Sequence, residues 1–193
     1  MITNSLLHQI EIGRLGNSWG YSMGLPKLEG IIDGVSRGVY TLLFSGTGSG
    51  KTTLALYSYI YKPIMEHIND ENFRVSYFSL EMSAEMLFAK LLSIYIFEKY
   101  KIELSTKELL SKKRNYSLSE ENYIIVKECT PWLRRIEQLI TVYDKSLNAE
   151  ILYTCLMEEL KNNGKFEETS SRKIYTPNNE NLTHLVVIDH LSL

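Results

Sequence analysis

The sequence predicts an α/β fold, a mostly parallel sheet flanked by helices. Short β-favouring apolar runs alternate with longer stretches of helical spacing, the pattern of successive βαβ units. The first of those runs leads straight into a glycine-rich segment that opens a helix. The composition agrees: 193 residues, 44% hydrophobic and 23% charged, with a net charge of −2, describe one globular domain able to bury a core. Those values argue against intrinsic disorder and against a basic coat that would hold nucleic acid by charge alone, while leaving room for a local basic lining. Two cysteines, Cys129 and Cys155, with no CxxC pair, point away from a zinc module or disulfide scaffold and toward a reducing, intracellular setting. The first twenty residues lack a basic segment followed by a long apolar run, and no stretch approaches 18 consecutive apolar residues. Neither a secretion signal nor a membrane span is expected.

Residues 1–22 read as a mixed lead segment with one short helix. Val39–Ser45 (VYTLLFS) is the first strand expected, followed by the glycine-rich loop and a helix from Thr52 to His67. Phe73–Leu80 (FRVSYFSL) is the second strand. Ser83 then suits a helix N-cap, without a capping box because Met86 stands at N3, and Leu87, Leu91, Ile94 and Phe97 continue that helix at helical spacing. Lys99–Ser119 is lysine-rich and polar, a solvated excursion with a loop. Glu120–Ile136 is helical, interrupted at Thr130-Pro131, where proline starts a new turn. Leu139–Tyr143 is the third strand, and Asn148 or Ser146 caps a helix running to about Lys161, with Gly164 as its C-terminal stop. Phe166–Asn181 is a loop by composition. His184–Asp189 (HLVVID) is the fourth strand. No internal repeat or linker marks a second domain.

The most specific signal is Ser45-Gly46-Thr47-Gly48-Ser49-Gly50-Lys51-Thr52, followed by Thr53. It matches GxxxxGK[ST] except that Ser45 stands at the first glycine position, where a small residue still permits the turn. Glycines let the backbone adopt positive φ and turn its N–H groups inward as an anion nest. The helix that opens near Gly50 adds its positive end. Lys51 supplies a cation to the β- and γ-phosphates, and the Thr52 hydroxyl a ligand to Mg²⁺. A strand before and a helix after are the context the motif requires.

Hydrolysis further needs a metal anchor and a group that activates water. Asp189 ends the apolar run Leu185–Ile188 and so is placed at the carboxyl edge of the sheet, where ligands collect. A carboxylate there can hold Mg²⁺ through water. Glu81 ends Phe73–Leu80 in the same way; spacing leaves open whether it polarises the attacking water or only stabilises the start of the next helix. His190 reads first as a packing or hydrogen-bonding histidine, and Arg134-Arg135 as a solvated helix face rather than a phosphate-contacting pair.

With these residues in hand, the chain resembles the RecA-like ATPase core of DnaB-like replicative hexameric DNA helicases and phage primase-helicases. The resemblance runs over Met23–Leu193 and rests on Gly24–Leu43 (GLPKLEGIIDGVSRGVYTLL), with its Leu-Glu pair and its Gly34–Gly38 turn, on the phosphate loop, on Tyr77–Leu87 (YFSLEMSAEML) and on Val186–Leu193 (VVIDHLSL). The FSLEMS segment discriminates best. In that family its glutamate is the catalytic base, which assigns the role to Glu81. The resemblance implies a RecA-like P-loop NTPase core, bound ATP and Mg²⁺, with Lys51 and Glu81 catalytic, residues 45–53 on the nucleotide, and Thr52 and Asp189 on the metal. It implies single-stranded DNA and further copies of the chain, in a hexamer, as partners, with primase as another, no membrane, and the cytoplasm of a bacterial cell or phage-infected host as the location.

Two departures shape the expectations. The stretch between Glu81 and Asp189 is longer than the family's, which suggests an insertion around residues 99–128. The family's sensor strand, DNA loops and arginine finger lie beyond the position of Leu193, so the domain is expected to be C-terminally incomplete. The expected sheet then has a gap beside the strand Val39–Ser45. The expected organisation is a lead segment, 1–22, and a partial ATPase domain, 23–193, which alone turns over slowly or not at all. Two other readings stay open: another RecA-like ATPase, of recombinase or signalling type, which FSLEMS argues against, and a nucleotide-binding module that does not hydrolyse.

Overall fold

Phe73–Ser79 forms the central strand, β1, of a three-stranded parallel sheet, with Ile140–Tyr143 (β2) on one side and Thr183–Asp189 (β5) on the other. The structure is a computed structural model that describes residues 2–15, 20–32, 34–46, 48–111, 114–145, 148–168 and 173–189. The chain divides into two compact units, Met1–Ile68 and Asn69–Leu193. The sheet belongs to the second. Every β1 residue except Arg74 is buried, as expected of a parallel strand covered on both faces.

The helices of this unit begin where their caps predict. Ser83 accepts the Met86 N–H (3.4 Å) at the start of α5 (Ala84–Tyr100), which buries Leu87, Leu91, Leu92 and Ile96. The buried row follows Leu92 to Ile96, one turn on, so Ile96 takes the place predicted for Phe97, which is exposed. Within 99–119, Ser105 and Glu108 make a reciprocal capping box for the short α6 (Thr106–Leu109). α7 (Glu120–Glu128) gives way at Cys129 to α8 (Thr130–Leu139), whose first turn carries Pro131 and whose Trp132 stacks on Tyr95 of α5 with centroids 4.0 Å apart. Asn148 caps α9 (Ala149–Asn163), accepting from Ile151 at 2.8 Å, while Ser146 lies outside the described residues.

Three expectations are corrected. Phe166–Asn181 is not all loop: β3 (Gly164–Glu168) and β4 (Lys173–Pro177) pair antiparallel, with Phe166 opposite Tyr175. Lys165-Phe166-Glu167 alternates polar, apolar, polar, and the β-favouring Ile174-Tyr175-Thr176 stands opposite it. Gly164 does stand at the end of α9, but in extended backbone rather than a left-handed turn, and an added Cβ would lie 2.5 Å from both the Thr176 carbonyl and the Tyr175 ring. Close approach, rather than backbone hand, requires glycine there. Finally, Val39–Ser45 is not a strand. No ladder partner meets it among the described residues, and Val39, Tyr40, Leu42 and Phe44 are exposed, Phe44 by 87%. β propensity without a partner to satisfy the backbone makes no strand.

The first unit contains α1 (Ile2–Arg14), α2 (Pro26–Glu29) and a continuous helical run over 51–66: α3 (Lys51–Ala55), a π-helical stretch (Leu56–Tyr61) and α4 (Lys62–Glu66). Leu56, Ile60 and Ile64, at i, i+4 and i+8, are buried on it. Gly34 and Gly38 both have positive φ, and a Cβ on Gly34 would run into the Tyr21 carbonyl that pairs with Val35. Glu29 accepts from the Ser22 hydroxyl (2.8 Å), from Gly24 N–H (3.0 Å) and from Met23 N–H; the Ser22 bond foremost holds its carboxyl below the ordinary pKa. The Leu28-Glu29 pair thus organises the 22–25 turn.

On one face of the sheet α9 reaches the strands through polar groups. The Glu159 carboxylate lies 2.8 and 2.6 Å from the Ser76 hydroxyl, receives the Tyr143 hydroxyl at 2.5 Å, and is 3.0 Å from His184 Nε2. Burial pushes the His184 pKa down, and the nearby Glu159 only partly opposes it. The unfolded chain then takes up the proton first, so stability should fall as pH drops below the free-histidine value of about 6.5. In thermal melts between pH 7.5 and 5, His184→Gln should lose less stability on acidification than the parent. Equal slopes would contradict this.

Candidate functional site

In the first unit, the glycine loop turns sharply into α3. Gly48 (φ 75°) and Gly50 (φ 89°) occupy the left-handed region, and Gly50 stands at the N-cap, its carbonyl accepting the Leu54 N–H at 2.9 Å. A Cβ at either would meet nothing within 4 Å, so backbone hand alone demands glycine. Ser49 Oγ lies 2.7 Å from both Ser45 Oγ and the Gly46 carbonyl. The serine at the first glycine position therefore has work of its own: its hydroxyl fastens the loop across four residues. A cavity of about 160 Å³ opens here, lined by Ser45, Ser49, Gly50 and Lys51 beside the apolar Leu43 and Phe44. Thr52 and Thr53 follow on the first turn of the helix. Thr47 lies outside the described residues. Positive φ at two glycines, a helix start and one lysine at a small cavity suit a phosphate group.

In the second unit, parallel pairing brings Glu81 and Asp189 to one edge of the sheet. Ser79 pairs with Asp189, and the ladder continues past the strand, Leu80 N–H donating to the Asp189 carbonyl at 2.8 Å. Ser79 Oγ accepts the Met82 N–H at 2.9 Å. These two bonds hold the backbone on either side of Glu81, whose side chain is exposed. Asp144, just beyond β2, accepts the Ala84 N–H at 2.7 Å and so caps α5 from the neighbouring strand. Asp189 itself is buried, 6% exposed, and its Oδ2 accepts the Tyr77 hydroxyl at 2.7 Å. Burial, and then the bond to Asp189, push the Tyr77 pKa far upward, which keeps the phenol a donor.

The loop residues thus stand together in one unit, and Glu81 and Asp189 in the other. A carboxylate at a sheet edge and a threonine hydroxyl at a helix start are hard oxygen donors of the kind Mg²⁺ takes, so the residue types fit that ion. Among the described residues no three His, Cys, Asp or Glu side chains cluster as a metal cage. His190 lies outside the described residues. Arg134 is exposed on α8, and Arg135 donates to Gln138 at 3.2 Å.

The family model described as "DnaB-like helicase C terminal domain" matches residues 20–193. The chain belongs to this family. No curated protein matches it, and no solved structure does. The DnaB-like assignment gives the parallel sheet and its flanking helices their place, as part of a RecA-like fold. Within this DnaB-like domain, sequence reasoning missed Tyr77, Ser79 and Asp144. Ser79 was findable, because a serine at a strand end often accepts a backbone N–H three residues on, whereas Asp144 caps a helix sixty positions earlier in the chain and gave no local signal. Tyr77 carried no such signal, because a tyrosine in an apolar strand reads as core.

Lys51 lines the loop cavity and is the charged side chain there. A charge-assisted contact to phosphate is worth about 1.5–3 kcal/mol, and each 1.4 kcal/mol is about tenfold in affinity. Lys51→Ala should weaken ATP binding at least about tenfold by titration calorimetry with circular dichroism unchanged. Parental affinity would reject the loop as the nucleotide site.

Proposed function

We propose that this DnaB-like domain binds ATP with Mg²⁺ and hydrolyses it, as the motor of a replicative DNA helicase. The observation that carries the proposal is the loop: two left-handed glycines leading into a helix start, with Lys51 at the cavity they border. Residues 45–53 take the phosphates, with Lys51 against the β- and γ-phosphates, where its charge counters that developing in the transition state. Thr52 and Asp189 supply oxygens to Mg²⁺, which when bound would neutralise phosphate charge. Glu81 is the general base: its backbone is fastened by Leu80 and Met82, and the residue is exposed at the sheet edge, where a carboxylate can take a proton from water.

Helicases of this family act as hexamers on single-stranded DNA, and we infer the same partners here, with a neighbouring copy completing each site. Residues 1–22 are read as a lead segment, and 99–128 as a helical insertion in the ATPase domain. Primase as a partner and a phage source rest on the sequence resemblance alone. Without a strongly basic surface, contact with DNA depends on assembly, so a single chain should bind single strands weakly and in a salt-sensitive way.

Two substitutions separate binding from chemistry. Glu81→Gln should keep MgATP affinity and lower phosphate release by about 10²–10⁴ wherever the parent's turnover is measurable. Asp189→Asn should instead raise the Mg²⁺ needed for nucleotide binding. A Glu81→Gln protein that hydrolyses at the parental rate would remove the base assignment. A parent that binds ATP but releases no phosphate, even with single-stranded DNA, would leave a nucleotide-binding module.

A further inference from the structure

We infer that Tyr77 is a positioning residue for Asp189, its hydroxyl fixing the carboxylate through which this domain meets its metal. The inference rests on the reading of Asp189 as a metal-side residue and adds a group to it. Tyr77 and Ser79 sit two apart on β1 and share a face, and Ser79 is the register partner of Asp189 on β5. The tyrosine side chain therefore runs along that face to the aspartate one step ahead, and Oη meets Oδ2 at 2.7 Å. The ring is fully buried in the central strand and the carboxylate nearly so. Water has little access to replace the phenol, and the ring, with only two side-chain dihedrals, holds its hydroxyl in one place. A bond from a fixed donor to one carboxylate oxygen sets the plane of the group, and so the direction in which the other oxygen faces.

A merely structural tyrosine would use Asp189 only as an acceptor for a buried hydroxyl. Metal affinity separates the two roles. Mn²⁺ binding to the 193-residue chain in saturating ADP, followed by electron paramagnetic resonance, gives a half-saturating concentration for each variant. Tyr77→Phe should raise it about 10- to 100-fold, the usual effect of removing the partner of a ligating group, with metal-free ADP affinity unchanged. Asp189→Asn should raise it at least as far, and the double variant should match Asp189→Asn alone, because Tyr77 acts only through that carboxylate. An unmoved Mn²⁺ curve for Tyr77→Phe beside a shifted one for Asp189→Asn overturns the inference, and so do shifts that multiply in the double variant. An unmoved curve for Asp189→Asn removes the metal reading of Asp189 itself, and the role of Tyr77 with it. A second measurement does not depend on Tyr77→Phe folding. With 3-fluorotyrosine at position 77, the ¹⁹F resonance should move when Mg²⁺ is added to the ADP-bound chain, and a fixed resonance at saturating metal overturns the inference.

Discussion

The parallel pairing of β1 with β5 is the constraint on which the placement of Glu81 and Asp189 depends. It runs in unbroken register from Phe73 opposite Thr183 to Ser79 opposite Asp189. Backbone bonds extend it at both ends, Thr183 N–H to the Asn72 carbonyl at 2.7 Å and Leu80 N–H to the Asp189 carbonyl at 2.8 Å. A slip of one residue would turn Asp189 to the other face of the sheet, away from Tyr77, and would move it along the strand relative to Glu81. The register is secured because both faces of β1 are buried and differ chemically. Tyr77 answers to Asp189 on one face, and Ser76 to Glu159 and His184 on the other. Each polar group is thus matched in one alignment and stranded in the next.

That division of the faces explains how a strand as apolar as β1 carries so many hydroxyls. Tyr77, Ser76 and Ser79 are all buried, and each hydroxyl meets a carboxylate, an imidazole or a backbone N–H. Networks satisfied in this way fix a unique arrangement, where a purely apolar core tolerates repacking. On the α9 side the network ties a helix to the sheet. On the other it holds the group that the proposed chemistry uses.

Much of this was legible from the sequence. Gly48 and Gly50, read as positions needing positive φ, have it, and Ser83, Asn148 and Pro131 stand at the helix starts they mark. Glu81 and Asp189 sit at one sheet edge, as the apolar runs that end just before them indicate. What failed to show was whatever depends on a distant partner. Val39–Ser45 has strand composition and, among the described residues, no ladder. Gly164 is fixed by the approach of Tyr175, eleven positions on, and Phe166 finds its opposite number across a hairpin whose residues read as loop. Tyr77 looked like core and is core, with its hydroxyl meeting a residue more than a hundred positions away. Local sequence holds propensity and caps; pairing across the chain is settled only by the fold.

Amide hydrogen exchange at Leu80, read by NMR in the 193-residue chain, tests the central register most directly. Leu80 is 40% exposed at the end of its strand, so burial gives its N–H little shelter; the bond to the Asp189 carbonyl does. If β1 and β5 pair as described, that amide exchanges with the slow amides of the β1 strand, because it opens only when the ladder opens. Exchange at the rate of an unstructured amide, with the rest of β1 protected, would contradict the register and the placement of Glu81 beside Asp189 that depends on it.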